Sequence, residues 1–262
     1  MRVAPAVFLL VATIAAAQEP RQQAPFITTP DEVVERMLAL AGTGTEDFVI
    51  DLGSGDGRIV IAAAKRFGAR GLGVDIDAKL VALSRENARR EGVAARVAFE
   101  ERDVMVTDVS RATVVTIFLL PWLIDRLQPK LLEEMQPGAR IVTHAFPIKG
   151  WKPDRSEKVR LARPQPNQAE ESIIFLWVVP ASVRGEWQGG DLRLRIRQNF
   201  QEIEVEARAD GRALAVREAK LEGTAIAFSA DGLAFRGRAA GARIEGELAR
   251  AGRTVPLVFV RR

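Results

Sequence analysis

The residues best suited to chemistry lie in one short segment, residues 49–58. An apolar run ends there in Asp51, and glycines then take alternate positions. These glycines are Gly53, Gly55 and Gly57. Alternate glycines let the backbone turn sharply and approach a ligand closely, because no Cβ stands in the way. A second apolar run ends in Asp75, so a second carboxylate is expected beside the same loop, where it can accept hydrogen bonds.

This layout is typical of nucleotide sites in Rossmann-type sheets, where an acid in the place of Asp75 accepts hydrogen bonds from ribose hydroxyls. A dinucleotide fingerprint, G-x-G-x-x-G, requires its third glycine at position 58, but this chain has Arg58 there. That difference, together with the lack of a paired acid–base set in the sequence, disfavours an NAD-linked oxidoreductase.

The pattern D-x-G-x-G-x-G instead resembles the first motif of class I methyltransferases that use S-adenosylmethionine (SAM). The resemblance implies a loop that passes beneath the methionine and ribose parts of this cofactor. The cofactor contacts that it implies fall on Asp51, Gly53, Ser54, Gly55, Gly57, Asp75, Ile76, Asp103 and Val104. Asp51 would orient the methionine ammonium, Asp75 would hold the ribose, and Asp103 would accept a hydrogen bond from the adenine amino group.

Two of these assignments have a structural alternative. Asp103 could simply cap a turn, since aspartate side chains accept hydrogen bonds from the backbone two residues further on. Ile76 could pack on the adenine face or belong to the core. The backbone of Val104 is expected beside the adenine in either case.

A more specific resemblance covers residues 26–180. The run Asp-Leu-Gly-Ser-Gly-Asp-Gly-Arg-Ile-Val at residues 51–60 and the later Phe146-Pro147 with Trp151 are similar to the lysine methyltransferases of the ATP synthase c-subunit and adenine nucleotide translocase. Seven-strand histone lysine methyltransferases have a similar Asp-Leu-Gly-Ser-Gly opening. The resemblance implies methyl transfer from SAM to a lysine of a protein partner.

The acceptor side of such a site is expected after the fourth strand, where the sequence is Phe118-Leu119-Leu120-Pro121-Trp122. The Asn-Pro-Pro-aromatic tetrapeptide of enzymes that methylate DNA bases or glutamine is absent there. An apolar mouth suits a lysine that must lose its proton, because apolar surroundings lower the pKa of an ammonium. The same residues could equally be core.

A catalytic residue cannot be assigned from the sequence. His144, the one histidine, ends the fifth expected strand and could act as a general base near neutral pH, although a hydrogen-bonded structural histidine is the favoured interpretation. Trp122, Lys149 and Trp151 could border the acceptor or simply pack. With no cysteine and a single histidine, a metal site is implausible.

The composition is that of an ordinary globular protein of one or two domains, with 262 residues, 47% hydrophobic and 27% charged. Its net charge of +4 comes from scattered arginines and not from a concentrated basic patch. We therefore expect no nucleic-acid partner.

The N-terminal sequence has the pattern of a targeting signal. Arg2 precedes an apolar stretch over residues 3–14, and the alanines at 15–17 offer a cleavage site. Residues 1–17 are predicted to be a secretory signal peptide or, failing that, a membrane anchor, which makes the protein exported or membrane-anchored; a buried helix is a further alternative. Because SAM is made in the cytosol, an exported, non-catalytic metabolite-binding protein on the same scaffold is a second hypothesis.

Residues 26–180 alternate helical and strand-like segments. The first helix is expected to begin with Thr29 as N-cap, Pro30 in the first turn and Glu32 closing a capping box. The alternation predicts an α/β fold with a Rossmann-like, doubly wound sheet. A closing hairpin matches the reversed last strand of the methyltransferase sheet.

Residues 181–262 have a different period. Apolar residues such as Leu192, Leu194 and Ile196 alternate with arginines, and Gly/Asp turns separate several short runs. This pattern predicts a small antiparallel β sandwich or barrel. No catalytic cluster is visible there, and a structural or docking role is favoured.

Overall fold

The computed structural model describes residues 27–162 and 170–262, which form two β-sheets. The predicted signal peptide over residues 1–17 lies outside these residues. Within the described ranges, no helix combines the length and the apolar character needed to cross a membrane.

The first sheet is built from seven strands and is flanked by four helices. Its strands are β1 (Phe48–Leu52), β2 (Arg70–Asp75), β3 (Val97–Glu101), β4 (Val114–Ile117), β5 (Arg140–His144), β6 (Arg155–Arg160) and β7 (Glu171–Val178). The helices are α1 (Asp31–Leu40), α2 (Arg58–Phe67), α3 (Ala78–Arg90) and α4 (Pro121–Glu134), with a 3₁₀ turn at Val104–Val106.

The strand order β3-β2-β1-β4-β5-β7-β6 confirms the predicted doubly wound sheet. Strands β1 to β5 run parallel, and β7 is antiparallel to both β5 and β6, as the closing hairpin requires. The chain leaves β1 on one side towards β2 and β3 and returns on the other side at β4. Open α/β sheets bind their ligands at such a switch point, outside the carboxyl ends of the strands.

The central strands are buried on both faces, which explains their continuous apolar sequences. Val49 and Val114 pack with α1 and α2 on one face, whereas Ile50 and Val115 pack with α4 on the other. Each fully buried aliphatic side chain of this kind stabilises the fold by about 1.5–3 kcal/mol. The sheet is therefore a rigid support for the loops at its edge.

The start of α1 differs from the prediction, because the capping box does not form. Pro30 is the N-cap residue, and no side chain caps the helix. The Thr29 hydroxyl instead lies 3.2 Å from Nδ1 of His144, and Glu32 accepts a hydrogen bond from the Ala162 amide at 3.0 Å. Both side chains that the local pattern assigned to the cap therefore pair with residues that are distant in the sequence. By contrast, α3 has a side-chain cap, because Asp77 accepts a hydrogen bond from the Lys79 amide at 2.8 Å.

The second sheet has nine antiparallel strands. They are β8 (Gly185–Gly189), β9 (Leu192–Asn199), β10 (Glu202–Ala209), β11 (Arg212–Leu214), β12 (Val216–Glu222), β13 (Ala225–Ala230), β14 (Leu233–Ala240), β15 (Arg243–Arg250) and β16 (Arg253–Arg261). The last strand, β16, pairs with the first, β8, and only Ala215 separates β11 from β12. The meander therefore returns on itself as a near-barrel, around a core that contains Trp187, Phe228, Phe235 and Phe259.

The turn between β9 and β10 joins the two sheets. The Phe200 ring stacks on Trp151, with ring centroids 5.0 Å apart and planes 8° from parallel. Gln201 donates a hydrogen bond to Asp154 at 2.7 Å and accepts one from the Gly223 amide at 2.7 Å. Phe200 has a φ of +51°, which is uncommon for a bulky residue. The turn thus keeps the Phe200 backbone in the conformation that places its ring against Trp151.

A second contact lies at the amino end of β5. A Cβ at Gly223 would be 3.2 Å from Cα of Gly138 and 3.1 Å from the Val178 side chain, so the two chain segments approach closely. The Gly223 carbonyl also accepts a hydrogen bond from the Ala181 amide at 2.8 Å. The second sheet thus packs against the edge of the first sheet that lies opposite the carboxyl ends of its parallel strands.

Phe200→Ala should lower the free energy of unfolding by about 2 kcal/mol, because a partly buried aromatic ring is lost from the contact. Phe200→Leu keeps most of the apolar volume and should cost about half as much. Chemical denaturation measures both. If the free energy of unfolding of Phe200→Ala lies within about 0.5 kcal/mol of the parent, as for ordinary surface substitutions, the turn does not hold the sheets together.

Candidate active site

A cavity of about 490 Å³ opens at the carboxyl ends of β1, β2 and β4. Most of the residues predicted to contact the cofactor line this cavity. They are Asp51, Gly53, Ser54, Gly55, Asp75, Ile76, Asp103 and Val104. Gly57, which belonged to the same prediction, is not part of the wall. The structure therefore brings together residues from the loop after β1 and from the ends of β2 and β3.

Asp51 lies near the end of β1 with only 2% of its surface exposed, and it accepts a hydrogen bond from the Thr116 hydroxyl at 2.7 Å. Burial raises the pKa of Asp51 to about 7, since a desolvated carboxylate is costly. The Thr116 hydrogen bond opposes this rise, whereas the carboxylates of Asp75 and Asp56 add to it. A cation placed in the cavity would lower this pKa again.

The glycine loop is tied to the end of β2. The amides of Gly53 and Ser54 both donate to the Val74 carbonyl, at 2.9 and 2.8 Å. Gly53 has a φ of +82°, and a Cβ there would lie only 2.7 Å from Cδ2 of Leu119. Glycine at this position thus lets the loop contact the Leu119 side chain directly, where any larger residue would collide.

The Asp75 carboxylate is held in place by the backbone on both sides. One oxygen accepts from the Gly55 amide at 2.9 Å, and the other accepts from the Asp77 amide at 3.0 Å. A carboxylate has about four lone-pair sites, so Asp75 keeps acceptor capacity for ligand hydroxyls. These two bonds fix its orientation before any ligand binds.

Asp103 caps a turn and also lies in the cavity wall. Its side chain accepts from the Met105 amide at 2.9 Å and so caps the 3₁₀ turn, and the residue also lines the cavity. Ile76 is half-buried in the cavity wall, and Val104 lines the cavity from the edge of the core. Their contacts with adenine remain a prediction.

Gly57 allows close packing between the start of α2 and the neighbouring elements α3 and β3. It is the N-cap of α2 with a φ of +81°. A Cβ there would lie 2.6 Å from Cβ of Ser84 and 2.8 Å from the Phe99 ring. The missing side chain therefore allows α2 to start close to α3 and β3, and this role has the same sequence spacing as a ligand contact.

His144 is held at both ring nitrogens and does not line the cavity. Nδ1 lies 3.2 Å from the Thr29 hydroxyl, and Nε2 lies 3.1 Å from the Ser172 hydroxyl. Burial lowers the pKa of His144 to about 4, so the ring is neutral at pH 7 and is a weak base. The geometry favours the structural interpretation of this histidine over the general base.

The acceptor-side candidates divide into two groups. Phe118 and Leu119 line the cavity, as does Leu123 at the start of α4. Trp151 is 2% exposed and stacks on Phe200, while Trp122 is 48% exposed and lies outside the wall. The lining residues form an apolar wall opposite the glycine loop.

Sequence reasoning missed one part of the site. Ile27, Thr28 and Thr29, which precede α1, also line the cavity. Arg58, at the start of α2, donates from Nη1 to the Thr29 carbonyl at 2.9 Å. No spacing or motif marks these three residues as part of a site, since the pattern assigned Thr29 only to a helix cap. Arg58 likewise stood out only as part of the motif and as a departure from the dinucleotide fingerprint, with no role assigned to it.

The chemistry of the cavity fits SAM. Its wall is acidic overall and so suits a ligand with sulfonium and ammonium charges better than a pyrophosphate. The charged lining residues are the aspartates Asp51, Asp56, Asp75, Asp77 and Asp103 and the arginines Arg58 and Arg102. The Ser54 hydroxyl is buried and has no hydrogen-bond partner among the described residues, so it is available to a ligand.

Gly57→Ala should destabilise the protein more than Gly92→Ala does. Both glycines have positive φ, but a Cβ at Gly92 meets nothing within 4 Å. The backbone cost of about 1–2 kcal/mol is common to both variants, and the clash with Ser84 and Phe99 should add about 2 kcal/mol for Gly57→Ala. Urea denaturation of the pair measures this difference, and equal losses would refute the packing role.

Comparison with known proteins identifies the first sheet. The family described as ANTKMT methyltransferase domain matches residues 51–155. A protein-lysine N-methyltransferase of Saccharolobus islandicus (strain REY15A) is 43% identical over 136 residues, which cover 52% of this chain and 84% of that protein. The ATP synthase c-subunit lysine N-methyltransferase of Xenopus laevis is 38% identical, over 50% of this chain but only 57% of that enzyme.

A solved structure is similar as well. The RNA methyltransferase from Salinibacter ruber, in complex with S-adenosyl-L-homocysteine, shares 43% identity and superposes with a TM-score of 0.54 over 60% of this chain and 96% of that chain. S-adenosyl-L-homocysteine is the form of SAM that has lost its methyl group. With SAM as its cofactor, this chain belongs to the family of SAM-dependent methyltransferases that contains the lysine methyltransferases of the ATP synthase c-subunit and adenine nucleotide translocase.

Proposed function

We propose that this methyltransferase modifies lysine side chains of a protein. The observation that carries the proposal is the apolar wall of Phe118, Leu119 and Leu123, which lines the same cavity as the acidic loop. A long aliphatic side chain with one terminal nitrogen fits between such a wall and a positively charged cofactor. A nucleobase or amide would need polar partners for its edge, since buried polar groups are costly when unpaired.

Methyl transfer from SAM requires few catalytic groups from the protein. SAM supplies an electrophilic methyl group together with its own leaving group. The lysine must arrive as a free amine, because an ammonium has no lone pair, and apolar surroundings favour the neutral form. Asp51, Asp75 and the glycine loop then hold and orient the cofactor, and the apolar wall excludes water and aligns the amine.

The relatives support this acceptor but differ in their names. The archaeal and vertebrate relatives are lysine N-methyltransferases, whereas the Salinibacter protein is called an RNA methyltransferase. The scattered basic residues and the net charge of only +4 favour a protein acceptor over RNA. The alternative of a non-catalytic binding protein receives no support from these relatives.

Incubation with methyl-labelled SAM and a cell lysate should place label in protein, sensitive to protease and resistant to ribonuclease, with the added methyl groups on lysine by mass spectrometry. Asp75→Ala should raise the Kd for SAM about 10- to 100-fold, since charge-assisted hydrogen bonds are lost. Asp108→Ala, at an exposed position, is the matched control. Label in RNA, or no label with normal SAM binding, would overturn lysine as the acceptor.

Binding of SAM should release a proton from Asp51 below pH 7. In the free protein this carboxyl has a pKa of about 7, so it is mostly protonated at lower pH, and a bound cation favours its charged form. The affinity should therefore fall as the pH drops from 7 to 5.5, by up to about tenfold per unit. Calorimetry in two buffers of different ionisation enthalpy counts the protons. Asp51→Asn should bind more weakly and without this pH dependence; an unchanged proton count in the variant would contradict the assignment.

A further inference from the structure

The chain that precedes α1 forms one wall of the cofactor cavity. We call residues 27–30 the strap. Ile27, Thr28 and Thr29 line the cavity together with the loop after β1. Ile27 is 63% exposed and Thr29 only 4%, so the strap runs from the surface into the interior over a few residues. Neither the glycine motif nor the catalytic proposal explains what holds it there.

Arg58 holds the strap from the side of the glycine loop. Its Nε and Nη2 donate to the two oxygens of Asp56, at 3.0 and 2.6 Å, and its Nη1 donates to the Thr29 carbonyl at 2.9 Å. Asp31, at the start of α1, lies 3.7 Å from the same Nη1. A guanidinium can make this forked set of bonds, and a lysine ammonium cannot. Arg58 therefore connects the cofactor loop to the strap.

His144 holds the strap from the side of β5. Its Nδ1 lies 3.2 Å from the Thr29 hydroxyl, and its Nε2 is paired with Ser172 on β7. Its ring packs against Phe118 of the apolar wall, with centroids 4.2 Å apart. Thr29 is thus fixed through its carbonyl by one residue and through its hydroxyl by another.

We infer that Arg58 and His144 are positioning residues, which hold the strap against the cavity and so complete the SAM site. Arg58 itself lines the cavity, but its guanidinium is already committed to Asp56 and Thr29, whereas His144 is not part of the cavity wall. Both act on the cofactor through Thr29. One anchor, Arg58, directly follows the glycine loop, and the other, His144, packs its ring on Phe118 of the apolar wall, so release of either anchor opens the same side of the cavity.

The test compares Arg58→Ala with Arg66→Ala. Arg66 lies on the same helix and also pairs with α1, through Glu35 at 2.5 Å, but it does not line the cavity. Arg58→Ala should raise the Kd for SAM at least tenfold in calorimetry, and Arg66→Ala should leave it within twofold. Arg58→Lys should recover only part of the loss, because the fork is missing.

Hydrogen exchange separates positioning from direct contact or general destabilisation. In the parent protein, S-adenosyl-L-homocysteine should slow exchange in peptides that contain the strap. Arg58→Ala should abolish this protection while the amides of α1 remain protected as before. Lost affinity with normal protection of the strap would show that Arg58 contacts the cofactor itself, and this result would overturn the inference.

Thr29→Val removes the hydroxyl and keeps the shape, so it tests the His144 anchor without disturbing the core. It should weaken SAM binding about three- to tenfold. In the double variant with Arg58→Ala, Thr29→Val should weaken SAM binding by less than it does alone, because both substitutions release the same segment, the strap. Normal SAM affinity in both Thr29→Val and His144→Asn would refute the role of His144. A parent protein that binds no SAM would instead remove the cofactor assignment.

Discussion

The site depends on the parallel pairing of β1 with a neighbour on each side. Asp51 stands opposite Gly73 of β2 and Thr116 of β4 in the two ladders. Because the chain leaves β1 towards one neighbour and reaches the other only later, the loops at this edge diverge and leave a crevice. The same register places the Thr116 hydroxyl within 2.7 Å of the Asp51 carboxylate. The charge, the space and the walls of the cavity all follow from this arrangement.

Much of the fold could be predicted because the signals are local. The doubly wound sheet follows from alternating periods, and the boundaries of α2 follow from Gly57 and Gly68, both in the left-handed region. In β9 the apolar residues point inwards and the arginines outwards, as the alternation indicated. The cavity-lining residues after β1, β2 and β3 could be named because parallel strands bring their carboxyl ends together.

The remainder depends on contacts between residues far apart in the chain. Thr29 and Glu32 have the spacing of a capping box, but partners more than a hundred residues away take their side chains. Gly57 has the spacing of a ligand contact, yet a helix and a strand occupy the space beside it. The return of β16 to β8 is likewise invisible to a local pattern, because register between distant strands depends on packing.

The close contact of Gly223 with Gly138 limits how the second sheet can influence catalysis. It joins the near-barrel to the end of the first sheet opposite the cavity, and no described residue of the near-barrel is among those that line the cavity. A partner captured on the outer face of the near-barrel would act by tethering: it would raise the effective concentration of the acceptor near the mouth and leave the cavity walls as they are. The residues that line the cavity all belong to the first sheet, its loops and its helices.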